Sequence, residues 1–314
     1  MSTDVVVIPA NYPHLREMIE RQLSAFPEHA DYLKTRFAGE DAGALGFAEH
    51  VAANVLQIAG PEIERICENY RWLCGAVLDE ELYFRRTGRY RLSTFEQANT
   101  EIYANRELMS RYVDGILASQ LWWHNHTEML RFFHDDLVVR NPKGFRHLEV
   151  GPGHGLYLYL AAASPNCASA EGWDVSDTSI ASTRQALQAM HLKRQVALRK
   201  INIFEMNPSD TPKEQFSSIA FSEVLEHLER PQDALKILRG LLTEEGRIFI
   251  NAPINSPAPD HIYLFDTPEQ LVDMIKDAGF AVESSRFAPV TGSTLEHARK
   301  RKRSISVGVI ARRA

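Results

Sequence analysis

Residues 145–155 have the sequence FRHLEVGPGHG, in which a β-like run leads into three glycines spaced two apart. A strand that ends in glycines and passes at once into a helix is typical of a ligand-binding turn, because glycine tolerates positive φ and lets the backbone approach a ligand closely. The start of the helix adds N–H groups that have no partner within the helix. We therefore expect Gly151, Gly153 and Gly155 to border a bound molecule, together with Glu149, which precedes the first glycine.

Downstream of residue 145, short β-like runs alternate with helical patterns, which is typical of a parallel α/β sheet. The predicted strands are Phe145–Val150, Ala168–Val175, Val196–Ile201, Phe216–Ser222, Arg247–Asn251, Phe280–Phe287 and Ser304–Ala311. The predicted helices between them cover residues 155–164, 177–192, 231–242 and 267–278. No long helix is predicted between the last two strands, so we expect them to pair antiparallel at one end of the sheet. The sequence thus predicts a seven-stranded, doubly wound α/β sheet with an antiparallel last strand.

The first 140 residues have a different pattern, in which apolar residues recur every three or four positions, as in amphipathic helices. A long helix is predicted over Ile63–Leu82, and Ser93–Glu96 has the spacing of a capping box that opens another helix. The pattern changes at Asn141–Gly144. We therefore predict an all-α domain over residues 1–140 and an α/β domain over residues 141–314.

Composition and charge favour a small-molecule partner. The 314 residues include 35 Lys and Arg against 41 Asp and Glu, a net charge of −6, so a nucleic-acid partner is disfavoured. The basic run Arg299–Arg303 is expected in a solvated hairpin loop. Three cysteines without a CxxC or Cys/His cluster, and twelve histidines without HExxH, predict no metal site. With no signal-peptide pattern and no long apolar run, we expect a cytoplasmic protein that does not engage a membrane.

Two further strand ends place polar residues at the same edge of the predicted sheet. Asp174 ends the second predicted strand, 23 residues after Gly151, and a carboxylate at that distance suits the two hydroxyls of a ribose. Asn202 and Ile203 follow the third strand, where an amide can contact the edge of an adenine and an apolar side chain can pack on its face. A plain turn explains Asn202 and Ile203 almost as well, and this alternative stays open.

The motifs EVGPGHG at 149–155, GWDVS at 172–176 and SEVLEHL at 222–228 together resemble the class I S-adenosylmethionine-dependent methyltransferases. The nearest likeness is to the small-molecule branch that includes the ubiquinone-biosynthesis O-methyltransferases. It runs from about residue 145 to 312 and includes the helix stop Asp277–Phe280. The resemblance implies S-adenosylmethionine as cofactor and S-adenosylhomocysteine as product. It also implies that Glu149 and the Gly151–Gly155 loop hold the methionine part of the cofactor, that Asp174 holds its ribose, and that Asn202 and Ile203 flank its adenine. Asn202 departs from the family, in which Asp is more usual.

Candidate catalytic residues follow the fourth and fifth strands, at the edge where α/β proteins bind ligands. Glu223 can face the cofactor sulfonium or the acceptor, while His227 and His261 can each take a proton from an attacking hydroxyl or amine. We therefore predict methyl transfer to an O or N nucleophile of a small, polar metabolite or natural-product intermediate. The alternatives are a surface turn around His227 and a surface loop without a chemical role around His261.

The resemblance also implies a role for the helical segment, since extra helices in such enzymes cover the active site, shape the acceptor pocket and in some cases build a homodimer. Two other functions stay open on the sequence alone. One is an NAD-dependent oxidoreductase, which the GxGxG spacing and Glu149 disfavour. The other is a non-catalytic regulatory protein that binds the cofactor and tolerates the loss of His227 and His261.

Overall fold

The computed structural model describes residues 7–206 and 215–314, and its first part is helical. The helices are α1 (Pro13–Ala25), α2 (Ala30–Phe37), α3 (Ala42–Ala59), α4 (Ile63–Thr87), α5 (Phe95–Ala98), α6 (Arg106–Trp122) and α7 (His124–Phe132). Two π-helical segments, Asn99–Tyr103 and Phe133–Val138, follow α5 and α7. None of the described helices is both long and apolar enough to cross a membrane.

Seven strands form one sheet in the order β3-β2-β1-β4-β5-β7-β6. They are β1 (Phe145–Val150), β2 (Cys167–Asp174), β3 (Val196–Lys200), β4 (Phe216–Ser222), β5 (Leu242–Ile254), β6 (Phe280–Pro289) and β7 (Ile305–Arg313). The strands from β3 to β5 pair in parallel, whereas β7 pairs antiparallel with both β5 and β6. The predicted sheet, with its antiparallel last strand and its final pair at one end, is confirmed.

The helices of the second part connect these strands. They are α8 (Leu156–Ala163), α9 (Asp177–Ala189), α10 (Pro231–Leu241), α11 (Pro268–Asp277) and α12 (Leu295–Arg301). Because β1, β2, β4 and β5 run in parallel, their carboxyl ends meet at one edge of the sheet, which is where ligands bind in such folds. The glycine-rich turn and the candidate catalytic residues all follow strands that end at this edge.

The helical region packs directly on the sheet through α7. The ring of Phe132 lies 5.9 Å from that of Phe249 on β5, and Asn125 Nδ2 donates to Ser306 Oγ on β7 at 2.9 Å. Gly308 makes the close approach possible, because a Cβ on this residue would lie 2.7 Å from Met129 Sδ. A helical N-terminal region is therefore present, and the division into domains at residue 140 stays a prediction.

Three local predictions differ from the structure. The capping box lies one residue later than expected, with Thr94 as N-cap and Gln97 as its partner. Strand β5 is longer at both ends than the predicted Arg247–Asn251, because its neighbours β4 and β7 extend the hydrogen-bonded ladder. The basic run lies largely on α12, where the Thr294 side chain caps the helix by accepting from the His297 N–H, so it is not a hairpin loop.

Candidate active site

The glycine-rich turn adopts the backbone that its sequence predicted. Gly151, Gly153 and Gly155 have φ values of 77°, 47° and 80°, in the left-handed region that glycine occupies without strain. A Cβ on Gly151 would lie 2.7 Å from Val224 Cγ2, whereas one on Gly153 would have one neighbour, the Gly151 carbonyl oxygen at 4.0 Å. Gly155 immediately precedes α8, and a Cβ on it would lie 3.4 Å from Thr183 Cγ2.

A cavity of about 440 Å³ lies at the carboxyl edge of the sheet, within the range of small-molecule sites. Of the ten predicted site residues, Gly155 does not line this cavity. The other nine do: Glu149, Gly151, Gly153, Asp174, Asn202, Ile203, Glu223, His227 and His261. Folding thus brings together residues that follow five different strands. Tyr263, close to His261 in the same loop, packs its ring 4.8 Å from that of Phe265 and does not line the cavity.

Two carboxylates at this edge have environments that suit a polar ligand. Asp174 Oδ1 accepts from the Ser176 N–H at 2.8 Å, while burial raises the pKa of Asp174 to about 6. Glu149 is 3% exposed, and burial, followed by the Asp174 charge, holds its pKa well above the usual value. Among the described residues, Glu149 Oε2 has no hydrogen-bond partner. Buried acceptors of this kind fit the hydroxyl and ammonium donors of S-adenosylmethionine.

Asn202 is held within its own turn. Its Oδ1 accepts from the Phe204 N–H at 3.1 Å, and its Nδ2 donates to Glu205 Oε1 at 2.9 Å. Both interactions close the 3₁₀ turn Ile203–Glu205. Ile203 is 6% exposed and lines the cavity. This turn therefore presents an apolar surface to a ligand, and the Asn202 side chain serves chiefly to shape it.

Glu223 occupies a strained backbone position immediately after β4. Its φ of 54° is rare for a residue with a side chain, and such strain concentrates at functional sites. Asn251 fixes the side chain, because its Nδ2 donates to Glu223 Oε1 at 2.7 Å and its carbonyl accepts from the Glu223 N–H at 2.9 Å. Burial raises the pKa of Glu223, and the Asn251 hydrogen bond partly offsets this.

His227 and His261 meet because the loop after β5 binds to the 3₁₀ turn Leu225–His227. The N–H groups of Ile262 and Tyr263 both donate to the Glu226 carbonyl at 2.9 Å. As a result, the two imidazole rings lie 4.9 Å apart, perpendicular to each other. Burial lowers the pKa of His261 to about 4.

The hydrogen bonds of the two imidazoles fix which nitrogen carries the proton. His227 Nδ1 lies 3.1 Å from the Asp260 carbonyl oxygen, and His261 Nδ1 lies 2.6 Å from the Ser256 carbonyl oxygen. A carbonyl only accepts, so each Nδ1 is the donor and each Nε2 has a free electron pair. These Nε2 atoms lie 3.7 Å and 4.0 Å from Glu226 Oε1.

Glu226, His227 and His261 form a cluster of hydrogen-bond acceptors, and burial, followed by the charge of Glu223, raises the pKa of Glu226 so that its carboxyl favours a proton. One ligand atom from each lies within 4.8 Å of the other two. Glu226 is fully buried, and neither of its carboxyl oxygens makes a hydrogen bond of ordinary geometry with another described residue. Facing electron pairs repel unless a proton or a cation lies between them, and two imidazoles with one carboxylate suit a divalent metal ion. The sequence predicted no metal site, because His261 joins the other two only through the fold.

The helical region provides the opposite wall of the cavity, which sequence analysis located only in part. One side of α6 lines it with Met109, Tyr112, Val113, Ile116 and Gln120, at helical spacings of three and four. Phe95, Tyr103, Trp123 and His126 add to this wall. The resemblance implied that the helical segment shapes the acceptor pocket, and the three- and four-residue spacing on α6 is the signal that could have located these residues. Most of this wall is apolar.

Comparisons with known proteins agree with this geometry. A family model described as a methyltransferase domain matches residues 148–248. A ubiquinone biosynthesis O-methyltransferase of Alkalilimnicola ehrlichii is 27% identical over 156 residues, which cover 47% of this chain and 60% of that relative. The chain therefore spans less than two thirds of the curated relative it matches.

Solved structures are similar to part of this chain at low sequence identity. The complex between the Haloferax volcanii Trm112 methyltransferase activator and a methyltransferase is matched with a TM-score of 0.51 and 11% identity, over 68% of this chain and 99% of that chain. A SAM-dependent methyltransferase from Aquifex aeolicus is matched with a TM-score of 0.43 and 18% identity, over 59% and 88% of the two chains. Residues 148–248 thus match a methyltransferase domain, and the sheet that contains them has the fold of the class I S-adenosylmethionine-dependent methyltransferases.

Proposed function

We propose that this protein transfers the methyl group of S-adenosylmethionine to an oxygen or nitrogen nucleophile of a small molecule. The observation that carries the proposal is that one cavity contains both halves of such a site. Glu149, Gly153 and Asp174 lie on its cofactor side, and the Glu226 cluster lies with them in the same cavity. The sulfonium is already activated, so proximity and in-line orientation supply most of the rate.

The residues of the cofactor side fit S-adenosylmethionine. The bare backbone at Gly153 leaves room for the methionine part, and the partnerless Glu149 Oε2 offers an acceptor to its ammonium group. Asp174 Oδ1 is already bound by the Ser176 N–H, which orients the carboxylate toward the ribose hydroxyls. Ile203 gives the adenine an apolar surface.

On the acceptor side, we expect a nucleophile at the histidine cluster and an apolar body against α6. The free electron pair of His227 Nε2 can take the proton of an attacking hydroxyl or amine, which contributes about 10²–10⁴-fold where the acceptor requires it. The apolar side chains of Met109, Val113 and Ile116 would pack against the rest of the acceptor. These apolar contacts favour an acceptor that joins a polar, reacting group to an apolar body, which narrows the small, polar acceptor predicted from the sequence.

A second arrangement is favoured by the three facing electron pairs of Glu226, His227 and His261. These three residues would hold a divalent cation, which would supply Lewis-acid stabilisation of an acceptor oxyanion whose proton passes to solvent water. Calorimetric titration of the chelator-treated protein with Mn²⁺ tests this arrangement. Binding that Glu226→Gln removes supports the cation, whereas no binding together with full methyl transfer in the presence of chelator supports the histidine base.

The first experiment is parallel calorimetric titration with S-adenosylmethionine, S-adenosylhomocysteine and NAD⁺. We expect the first two to bind and NAD⁺ not to bind. Asp174→Ala should weaken both, whereas the control Asp177→Ala, which removes an exposed ion pair with Lys200, should not. Binding of NAD⁺ alone would favour the oxidoreductase.

Acceptor screening then separates an enzyme from a regulatory binding protein. Phenols, alcohols and amines with apolar bodies are incubated with the protein and isotopically labelled cofactor, and methylated products are detected by mass spectrometry. Cofactor binding without labelled product from any acceptor class would favour the regulatory protein. The predicted homodimer stays a separate prediction, which sedimentation velocity tests.

A further inference from the structure

We propose that Tyr103 and Tyr112 of the helical region, together with Asp260, are positioning residues that hold His227 with its Nε2 toward the acceptor. This inference rests on the proposed methyl transfer and extends its site beyond the residues 148–248 that match the methyltransferase family model. In this arrangement, the helical region completes the catalytic centre instead of only covering it.

The four residues form one continuous hydrogen-bond network. Tyr112 OH donates to Asp260 Oδ1 at 2.8 Å, and Tyr103 OH donates to Asp260 Oδ2 at 3.2 Å. Tyr103 OH also lies 3.1 Å from His227 Nδ1. Each oxygen of the Asp260 carboxylate therefore has a phenol donor, although the residue is only 2% exposed.

The network determines which ring nitrogen of His227 donates a hydrogen bond. Three oxygen atoms surround its Nδ1: the Asp260 carbonyl at 3.1 Å, the Tyr103 hydroxyl at 3.1 Å and Asp260 Oδ2 at 3.5 Å. Because the phenol proton of Tyr103 goes to Asp260, all three oxygens act as acceptors toward the imidazole. His227 therefore carries its proton on Nδ1, which leaves the electron pair of Nε2 free on the side of Glu226, which also lines the cavity. A carboxylate or carbonyl behind a functional imidazole fixes ring and tautomer in this way.

The two tyrosines lie on separate elements of the helical region. Tyr112 lies on α6, on the same side as the apolar wall of the cavity. Tyr103 ends the π-helical segment Asn99–Tyr103, and such segments are frequent at functional sites. Neither position belongs to a motif of the α/β part, so only the folded chain reveals them.

The test compares Tyr103→Phe, Tyr112→Phe and Asp260→Asn with Tyr32→Phe. Tyr32 is a matched control, because its hydroxyl donates to Thr291 Oγ1 at 2.9 Å in another part of the fold. We expect Tyr103→Phe to lower kcat by about 10–100-fold, as removal of an orienting partner does, with KM and cofactor affinity unchanged within about twofold. Tyr112→Phe should have a smaller effect, because Tyr112 contacts His227 only through Asp260. Equal kcat in Tyr103→Phe and Tyr32→Phe would overturn the proposal.

Nitrogen NMR of the histidine side chains supplies a readout that needs no acceptor. In the chelator-treated wild type, the His227 signals, assigned with His227→Gln, should show a proton on Nδ1. In Asp260→Asn the new amide can donate to Nδ1, so a second set of signals with the proton on Nε2 is expected. A wild-type proton on Nε2, or one unchanged tautomer in Asp260→Asn, would overturn the proposal. If the wild type methylates no acceptor, the proposed function fails, and the tautomer still decides whether the network positions His227.

Discussion

Asp174 is an ionisable residue whose surroundings oppose its charge, and cofactor binding should therefore depend on pH. Burial raises its pKa to about 6, above the usual value for Asp, so the carboxylate is ionised at pH 7 and protonated at pH 5. In the proposed site, the ionised form would accept from both ribose hydroxyls. As the pH falls below 6, affinity for S-adenosylmethionine should fall by up to about tenfold per pH unit.

Calorimetry from pH 5 to pH 8 measures this dependence. Asp174→Asn is the control, because an amide keeps the acceptor for the Ser176 N–H and does not titrate. Its affinity should be weaker than that of the wild type at pH 7 and should change less than that of the wild type between pH 7 and pH 5, since Glu149, whose pKa is also raised, is present in both proteins. A wild-type affinity that changes no more than that of Asp174→Asn would show that Asp174 does not bind the cofactor in its ionised form.

Substitution of Gly153 tests whether the cofactor binds against the backbone at this position. Gly153→Ala adds a methyl group to the open space that the cofactor is proposed to fill, so affinity for S-adenosylmethionine should fall by more than the backbone strain explains. The control Gly39→Ala has the same left-handed backbone, with φ of 76°, and no atom within 4 Å of its added methyl. Both variants should lose about 1–2 kcal/mol of stability, since both force alanine into this region. Only Gly153→Ala should bind the cofactor more weakly in calorimetry, and equal affinities would contradict the assignment.

Among the elements, the contact between α7 and β7 depends on the absence of a side chain at Gly308. In Gly308→Ala the new Cβ would lie 2.7 Å from Met129 Sδ and 3.0 Å from Phe132 Cδ1. Overpacking of this kind costs about 1–3 kcal/mol, which urea unfolding measures. The second change Met129→Ala should restore part of the loss. Gly240→Ala, on the exposed side of α10 with no atom within 4 Å, should instead stabilise the protein slightly.

Sequence patterns predicted which helices and strands exist better than they predicted where these elements end or which of them come into contact. Strand β1 begins and ends where its pattern predicted, since its apolar residues and the glycines after it both mark the boundary. Strand β5 exceeded its prediction because pairing with β4 and β7 extends the ladder past the apolar run. The basic run was mistaken for a loop, since its seven-residue helix α12 is too short to show a period.

The sequence predicted those parts of the candidate site whose residues lie within one short segment. The Gly151–Gly155 turn and Asp174 follow from local spacing, and both lie at the expected sheet edge. The joining of Glu226 with His261 depends on backbone hydrogen bonds from a distant loop, for which no local pattern exists. The same holds for Tyr103, whose position is set by a π-helical segment.

For the whole molecule, the hydrophobic core crosses the predicted boundary at residue 140. One buried cluster contains Leu121 and Phe133 from the helical region with Phe249 and Ile310 from the sheet. A shared core couples the unfolding of the parts it joins. We therefore expect a single calorimetric transition whose calorimetric and van't Hoff enthalpies agree. Two separated transitions would instead support independent domains over 1–140 and 141–314.

The two sides of the cavity are encoded in different ways. The cofactor side is assembled from the ends of several strands, so a change there disturbs the sheet itself. Much of the opposite wall comes from one side of a single continuous segment, Arg106–Trp122. Acceptor preference can therefore diverge between relatives, or be redesigned in the laboratory, by exchange of that one helix while the methyl-donor half is inherited intact.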